Sequence, residues 1–474
     1  MKLTGKHVHF VGIGGIGMSS IAHIAAMRGA VVSGCDRHEG HILDGLRSKG
    51  ITVSIGHTPA HLDGIDVLVT SSAVAKDEPE VLRAAGECIP VLTRARMLAV
   101  LMEGHRGIGI AGAHGKTTTT WLTSNIFIRA GLDPTIMLGG VVADLGGNWR
   151  VGRSEFFITE VDESDRSLLE LSPTYVILTN LDREHLDQYR DIDDIKDTFR
   201  TFLRRMPRDG VLVGCIDNPN VADVLEACPA KVVTYGIEKT ADAYVRSQRF
   251  VPGGSEFEII WHNQPLAGFK LSLPGEHNVQ NALAAATLAL EMGVPLPAIR
   301  TALANTVGVH RRLENKGSAN SITVIDDYGH HPTEIKATLK TARAMAAGRL
   351  IGVFQPHRYS RTRALCNEFA DAFDDLDLLV VTGIYCAGER PIEGVTSELI
   401  LRAVSGHGRI KRIEYIPDLN DVPERLLPLL RPGDTLITIG AGNVGSLGDR
   451  ILAKLKGPAA GGRLPVAIAG PERL

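Results

Sequence analysis

The densest chemistry in the chain lies between Ile108 and Thr120, which read IGIAGAHGKTTTT. A short apolar strand runs into a glycine turn, and Lys116 and Thr117 then open a helix. Such a turn aims backbone N–H groups and a helix N-terminus at one spot, an arrangement suited to a phosphate chain. Lys116 would reach the β- and γ-phosphates, and the Thr117 hydroxyl would hold Mg²⁺. Gly112, His114, Gly115 and Thr118 complete the candidate nucleotide loop. The pattern is GxxGKT, because Ile110 stands where the longer form of the motif has glycine. The competing reading is a glycine-rich αβ turn with a solvated lysine. Four threonines in a row weigh against it, since β-branched residues are a poor opening for a helix on stability alone.

Two more strand ends carry polar clusters. In ITEVDESD, Glu160 follows an apolar run directly, and ILTNLDREHLD holds Asn180, Asp182, Glu184, His185 and Asp187. Carboxyl ends of neighbouring parallel strands converge, so Glu160 and His185 would face the phosphates near Lys116 as metal ligands. The alternatives are a cap or ion-pair role for Glu160 and a surface turn for His185. Asp162, Glu163 and Asp165 read equally well as caps of a following helix. PGEHNVQNALAA sets His277, Asn278 and Asn281 at a helix start, either as caps or as amides meeting a purine or ribose.

Arg311 and Arg312 in HRRLE could form interdomain ion pairs or place a cation on a γ-phosphate. VIDDYGHHPTEI offers Asp326, Asp327, Tyr328, His330, His331 and Glu334, with the histidines as candidate bases. FQPHRYSRTR adds His357, Arg358, Arg361 and Arg363, a basic loop that suits a carboxylate or phosphate, or else is simply solvated. Near the N-terminus, Gly12, Gly14 and Gly17 form GxGxxG after an apolar strand, and Asp36 ends the next strand. NAD, with Asp36 on a ribose, is the default reading of such a turn, though any phosphate-bearing nucleotide can use it. Asp36 reads equally as a turn acid. Ser71 to Val74 follow another buried strand on the ligand-binding side. No serine or cysteine nucleophile system stands out.

These residues need elements to hold them. Strands are expected at 7–13, 30–35, 67–70, 156–159, 175–179, 211–214, 232–235, 322–325, 350–354, 378–382 and 435–439, with helices between. Residues 240–272 alternate like antiparallel extensions, and a long apolar helix follows from Asn278 to Met292. The pattern is α/β with parallel sheets throughout: a Rossmann-like domain at 1–105, a central P-loop domain at 106–314, a Rossmann-like third domain at 315–456 and a disordered tail at 457–474. The 474 residues, 44% of them hydrophobic, are enough for several cores. A net charge of −3 gives no basic footprint for nucleic acid, and no apolar run is long enough to span a membrane. Six cysteines without CxxC spacing indicate a reduced, cytoplasmic protein with neither a zinc knuckle nor a disulfide framework.

Taken in order, VGIGGIGMSSIA, GAHGKTTTT, EVDESD, TNLDREHLD, GEHNVQNALAA, RRLE, DDYGHHPTEI and FQPHRYSRT resemble the Mur ligase family from about Lys6 to about Leu455. The last two stretches favour its alanine-adding branch over the branch that recycles a whole muropeptide. The resemblance implies three domains, ATP with two Mg²⁺ ions, and ligation of L-alanine to the lactyl carboxylate of UDP-N-acetylmuramate through an acyl phosphate, by a monomer or weak homodimer. The first glycine turn would then serve UDP rather than NAD, with Gly14, Gly15, Ile16, Gly17, Asp36, Ser71 and Ser72 on the substrate. Lys116, Glu160, His185, Arg312 and His330 would be catalytic, with Thr117, Glu160 and His185 on metal. His277, Asn278, Asn281, Arg311 and Asp327 would meet ATP, and Tyr328, Arg358 and Arg361 would lie near the incoming amino acid. One departure is local: Asp182, Arg183 and Glu184 stand where the family more often has Glu-Ala-Asp, with His185 kept. Three rivals remain: another Mur-type ligase, an NAD-dependent oxidoreductase that leaves Gly112 to Thr120 without a purpose, and a nucleotide-regulated binding protein.

Overall fold

A computed structural model describes residues 1–457 apart from Ser72, Lys76, Asp187 and Lys239. Ser72 and the expected tail beyond Gly457 therefore lie outside the described residues. The chain forms two compact units, the first ending at His310 and the second beginning at Arg311. Among the described residues there are sheets of five, ten and six strands. No helix among them is long and apolar enough to cross a membrane.

The five-stranded sheet is wholly parallel. Its strands lie in the order Thr52–Ile55, Val31–Asp36, His7–Val11, Val67–Thr70, Val91–Thr93. The strand order reverses beside His7–Val11, so the glycine turn after Val11 opens where open α/β sheets bind ligand. Helix Ile16–Met27 follows the turn and buries Ile21, Ile24 and Ala25 against Val8 and Phe10. Gly34 is required by packing: a Cβ there would lie 2.7 Å from the Phe10 carbonyl oxygen.

The ten-stranded sheet is parallel through its middle, from Lys231–Gly236 past Val211–Cys215, Tyr175–Leu178, Arg106–Ala111 and Phe156–Glu160 to Thr135–Val142. Both ends turn antiparallel. Ala243–Val251, Gly254–Trp261 and Gln264–Leu271 form the expected extension, while Gly147–Arg150 returns along Thr135–Val142 at the other edge. That last pair is absent from the sequence reading, because IMLGGVVADLGGN mixes glycine into the strand and weakens its pattern. Helix Lys116–Arg129 is buried on every side from Thr117 to Phe127. Its threonines fit there because their hydroxyls can bond back: Thr120 donates to the Lys116 carbonyl at 2.8 Å and Thr123 to that of Thr119 at 2.8 Å. The alanine-rich helix Glu276–Glu291 is the other buried helix of this domain.

In the second unit the order is Glu314–Ala319, Ile322–Asp327, Thr435–Ile439, Leu350–Phe354, Leu378–Val381, Ile413–Tyr415. The first pair corrects the expectation of parallel sheets throughout. It is an antiparallel hairpin, turned at Asn320 and Ser321 with φ of 50° and 61°, the mirror-image turn that matches strand twist. The remaining pairs are parallel. The carboxyl ends at Asp327, Ile439 and Phe354 are therefore neighbours, which gathers the loops after them.

Candidate functional site

In the first unit, the turn between Ala111 and Lys116 is held open by its own backbone needs. Gly112 has φ of 125°, and a Cβ there would collide with the Thr179 hydroxyl. Gly115 has φ of 79°, and a Cβ would sit 2.6 Å from Asn281 Oδ1. Asn281 thus lies against the loop, one turn into helix Glu276–Glu291, while the Asn278 amide donates to the Pro274 carbonyl at 2.7 Å and caps its own turn. His277 sits beside it on the first turn. The next strand clamps the loop: Asn180 accepts from the His114 amide at 2.8 Å and donates to its carbonyl at 3.0 Å, and Thr179 donates to the same carbonyl at 2.8 Å. The His114 ring reaches Asp182 at 3.1 Å.

Lys116 folds over this cradle. Its ammonium donates to the carbonyls of Gly112 at 2.6 Å and Ala113 at 3.2 Å, and to both Glu163 oxygens at 2.8 Å. Burial alone would lower its pKa. The surrounding carboxylates, Glu163 first, outweigh that and raise it, so Lys116 is a cation throughout the neutral range. His185, at φ of 54°, brings Nε2 to 3.6 Å from Glu163 and 3.3 Å from Glu184. Glu160 accepts from the Gly139 amide at 2.6 Å. A Cβ on the next residue, Gly140, would meet the Thr117 methyl group at 3.2 Å, so Thr117 and Glu160 flank one point of that strand. Thr117 and Thr118 are both buried at the helix start.

Glu163 is the residue that the sequence does not single out. It is 4% exposed and shared between Lys116 and His185. No α-helix follows it to be capped; the chain makes a short 3-10 turn at Ser167–Glu170 instead. The signal available was its place in the EVDESD stretch, three residues after Glu160.

The first glycine turn is built differently. Gly12 has φ of 78°, and the Gly12 and Ile13 amides donate to the Cys35 carbonyl at 2.9 and 3.1 Å. Asp36 accepts from the Gly14 amide at 2.9 Å and from the Arg37 amide at 2.8 Å. Gly15 and Ile16 are exposed, Gly17 lies close to the Arg94 side chain, and Ser71 donates its amide to the Val11 carbonyl at 3.3 Å.

The second unit brings together Tyr328, His330, His357 and Arg361. The His330 ring lies edge-on to Tyr328, with centroids 5.8 Å apart, and 5.7 Å from the His357 ring. His330 Nδ1 is 3.4 Å from Glu334, and Arg361 reaches His357 Nδ1 at 3.0 Å. Arg312 lies over the Tyr328 ring at 5.4 Å and 3.7 Å from Glu334. Arg358, at φ of 68°, turns the basic loop and donates its amide to the Tyr385 carbonyl at 2.8 Å. Arg311 is anchored inside the unit, to Asp326 at 2.9 Å and to the carbonyls of Gly440 and Gly442. Asp327 is likewise engaged at home. It accepts from the amides of Leu313 and Gly329, each at 2.8 Å, and burial raises its pKa. His331 caps helix Pro332–Met345. Glu334 and Tyr385 join this cluster through space: Glu334 lies one turn past His330, but Tyr385 arrives from a separate loop with no pattern to mark it.

Family comparisons cover most of the chain. Residues 7–106 match the Mur ligase family catalytic domain, 110–289 the Mur ligase middle domain, and 311–442 the Mur ligase glutamate ligase domain. The chain is 46% identical to the UDP-N-acetylmuramate–L-alanine ligase of Syntrophus aciditrophicus, over 96% of this chain and 95% of that protein. It is 47% identical to the protein of the same name from a Geobacter species, over 95% and 98%. Among solved structures it resembles the UDP-N-acetylmuramate-alanine ligase of Thermotoga maritima, with a TM-score of 0.79 and 27% identity over 94% of this chain and 98% of that one. A murein peptide ligase from Psychrobacter arcticus shares the fold, with a TM-score of 0.72 at 24% identity over 96% and 100%.

Proposed function

The chain belongs to the Mur ligase family, and from that premise we propose that it is a UDP-N-acetylmuramate–L-alanine ligase acting in the cytoplasm. It joins L-alanine to the lactyl carboxylate of UDP-N-acetylmuramate at the expense of ATP, giving UDP-N-acetylmuramoyl-L-alanine, ADP and phosphate. The observation that carries the reading is sequence identity over nearly the full length with ligases of that name, together with a loop whose lysine is half-buried and charged.

The residues present fit ATP and Mg²⁺. Gly112 and Gly115 let the loop pack with no side chain between its backbone and its neighbours, which leaves its N–H groups to a phosphate chain, and Thr117 and Glu160 offer the hydroxyl and carboxylate oxygens that Mg²⁺ prefers. His185 would serve at a second ion. When bound, ATP supplies the phosphoryl group that activates the carboxylate, and Mg²⁺ offsets charge on it. Lys116 would supply the cation for the phosphates of the bound nucleotide. His277, Asn278 and Asn281 would meet the nucleoside. Residues 1–105 hold the UDP part, with Asp36 and the turn Gly14–Gly17 on the substrate, 106–314 hold ATP, and 315–456 take the amino acid.

A carboxylate is unreactive and an ammonium is no nucleophile, so the amine must lose a proton before it attacks the acyl phosphate. His330 is the acceptor in this reading, oriented by Glu334 and the Tyr328 carbonyl, which stands 3.2 Å from its Nδ1. Arg358 and Arg361 suit the carboxylate of alanine. The test is ADP release by purified protein with ATP, Mg²⁺ and UDP-N-acetylmuramate. Release that needs L-alanine, with a product heavier by one alanine residue, is expected. Release that needs a tripeptide instead would contradict the assignment.

A further inference from the structure

The five-stranded sheet holds a second set of ligand-type side chains that the ligase reaction does not use. Parallel register pairs His9 with Ser33 and Val11 with Cys35, so His7, His9, Ser33 and Cys35 share one face. Over that face lie His57, just past strand Thr52–Ile55, His61 in the short turn Pro59–Leu62, and Glu80 in helix Pro79–Gly86. Cys35 Sγ is 3.2 Å from His57 Nδ1 and 3.5 Å from Glu80 Oε1, and these two are 3.5 Å from each other. His61 Nδ1 is 3.2 Å from the same Glu80 oxygen. Cys35 also closes a second triad with His9 and His61, whose ligand atoms all lie within 4.8 Å of one another.

Those separations are of the size found between neighbouring ligands of a tetrahedral metal, and Cys35, His57 and Glu80 close one such triangle. Zinc bonds of ≈ 2.3 Å to sulfur and ≈ 2.0–2.1 Å to nitrogen or oxygen put neighbouring ligand atoms about 3.3–3.6 Å apart. Two atoms in the cluster are buried with no hydrogen-bond partner, His9 Nε2 and Glu80 Oε2, on residues 2% and 0% exposed. Among the described residues the ion-pair partners of Glu80 are His57 and His61, with no lysine or arginine beside it. A buried carboxylate in that position calls for a cation. Outer hydrogen bonds already orient the ligands: His9 Nδ1 meets the Ser33 hydroxyl at 2.8 Å, and the Thr58 amide donates to Glu80 Oε1 at 2.9 Å.

We propose that Cys35 and Glu80, with imidazoles drawn from His57, His61 and His9, bind one borderline-soft divalent cation of the zinc class. Thiolate and imidazole donors favour such an ion over Mg²⁺. The ion clips turn Pro59–Leu62 and helix Pro79–Gly86 onto the sheet. Because the Cys35 carbonyl holds the Gly12 and Ile13 amides, the clip also steadies the glycine turn that begins there.

The test uses the full chain, stripped with a chelator and titrated with Co²⁺ as a spectroscopic stand-in for Zn²⁺. A thiolate-to-cobalt charge-transfer band that saturates at one ion per chain and is displaced by Zn²⁺ is expected. None of the proposed Mg²⁺ ligands is a cysteine, so the band reports this site, and Glu160→Gln should keep it. Cys35→Ser should abolish it. His57→Gln and Glu80→Gln should weaken Zn²⁺ by at least the ~10–100-fold that loss of an outer partner costs at a metal site. Zn²⁺ should raise the Tm of the wild-type chain and leave that of Cys35→Ser unmoved. If Cys35→Ser does not fold, the wild-type titration decides alone. A wild-type chain that shows no band, or a band that survives in Cys35→Ser, would overturn the proposal and leave a hydrogen-bonded network of histidines.

Discussion

The first unit contains two glycine turns of the same outline, each joining a parallel strand to a helix, yet they are chemically opposite. In the turn after Val11, the Gly14 amide is already taken by the Asp36 carboxylate, and Gly15 and Ile16 face solvent. In the turn after Ala111, the helix opens with a half-buried, charged lysine, and the residues after the next strand clamp the loop through Thr179 and Asn180. A carboxylate beside the first turn suits the hydroxyls of a ribose or sugar. A lysine over N–H groups in the second suits a triphosphate. The backbone shape common to both carries no specificity. The one charged side chain at each mouth does.

The largest effect should come from reversing the second turn. Lys116→Ala removes the cation and leaves Glu163 buried without it. ADP release should fall about 10³-fold or more, as with loss of other phosphoryl-stabilising cations, while circular dichroism stays folded. Unchanged release from a folded variant would break the contrast. Next is His330→Asn, which touches neither turn. Loss of the proton acceptor should lower kcat by about 10²-fold with little change in KM for either nucleotide. Asp36→Asn should act on the first turn alone. A lost charge-assisted hydrogen bond of about 1.5–3 kcal/mol corresponds to a rise of tenfold or more in KM for UDP-N-acetylmuramate, with KM for ATP unmoved. The smallest effect sharpens the geometry. Gly12→Ala, at φ of 78° with the Ser71 Cβ 3.3 Å from the new methyl group, should cost about 1 kcal/mol of stability, read as a lowered denaturation midpoint.

How much of this was legible beforehand follows the same divide. Lys116, Thr117, Asn180 and Glu160 sit at strand ends inside contiguous motifs, where local order predicts position, and the three-domain α/β architecture follows from the spacing of apolar runs. Glu163 was not legible. A cap acid and a buried partner of lysine look alike in sequence, and only the 3-10 turn that replaces the helix tells them apart. The strands Thr135–Val142 and Gly147–Arg150 escaped because glycine erases the apolar alternation. The cluster around Cys35 was hidden for a third reason. Its members come from residues 9, 35, 57, 61 and 80, so no spacing marks them: strand register sets His9 and Cys35 on one face, and the turn and helix packed over it bring the rest.

The most direct test of the contrast is calorimetric titration of wild type, Lys116→Ala and Asp36→Asn with a non-hydrolysable ATP analogue and, separately, with UDP-N-acetylmuramate. The account predicts that Lys116→Ala weakens the ATP analogue and leaves the UDP substrate unchanged, while Asp36→Asn weakens the UDP substrate about tenfold or more and leaves the ATP analogue unchanged. Loss of both ligands in either folded variant, or the opposite pairing, would contradict the assignment of one nucleotide to each turn.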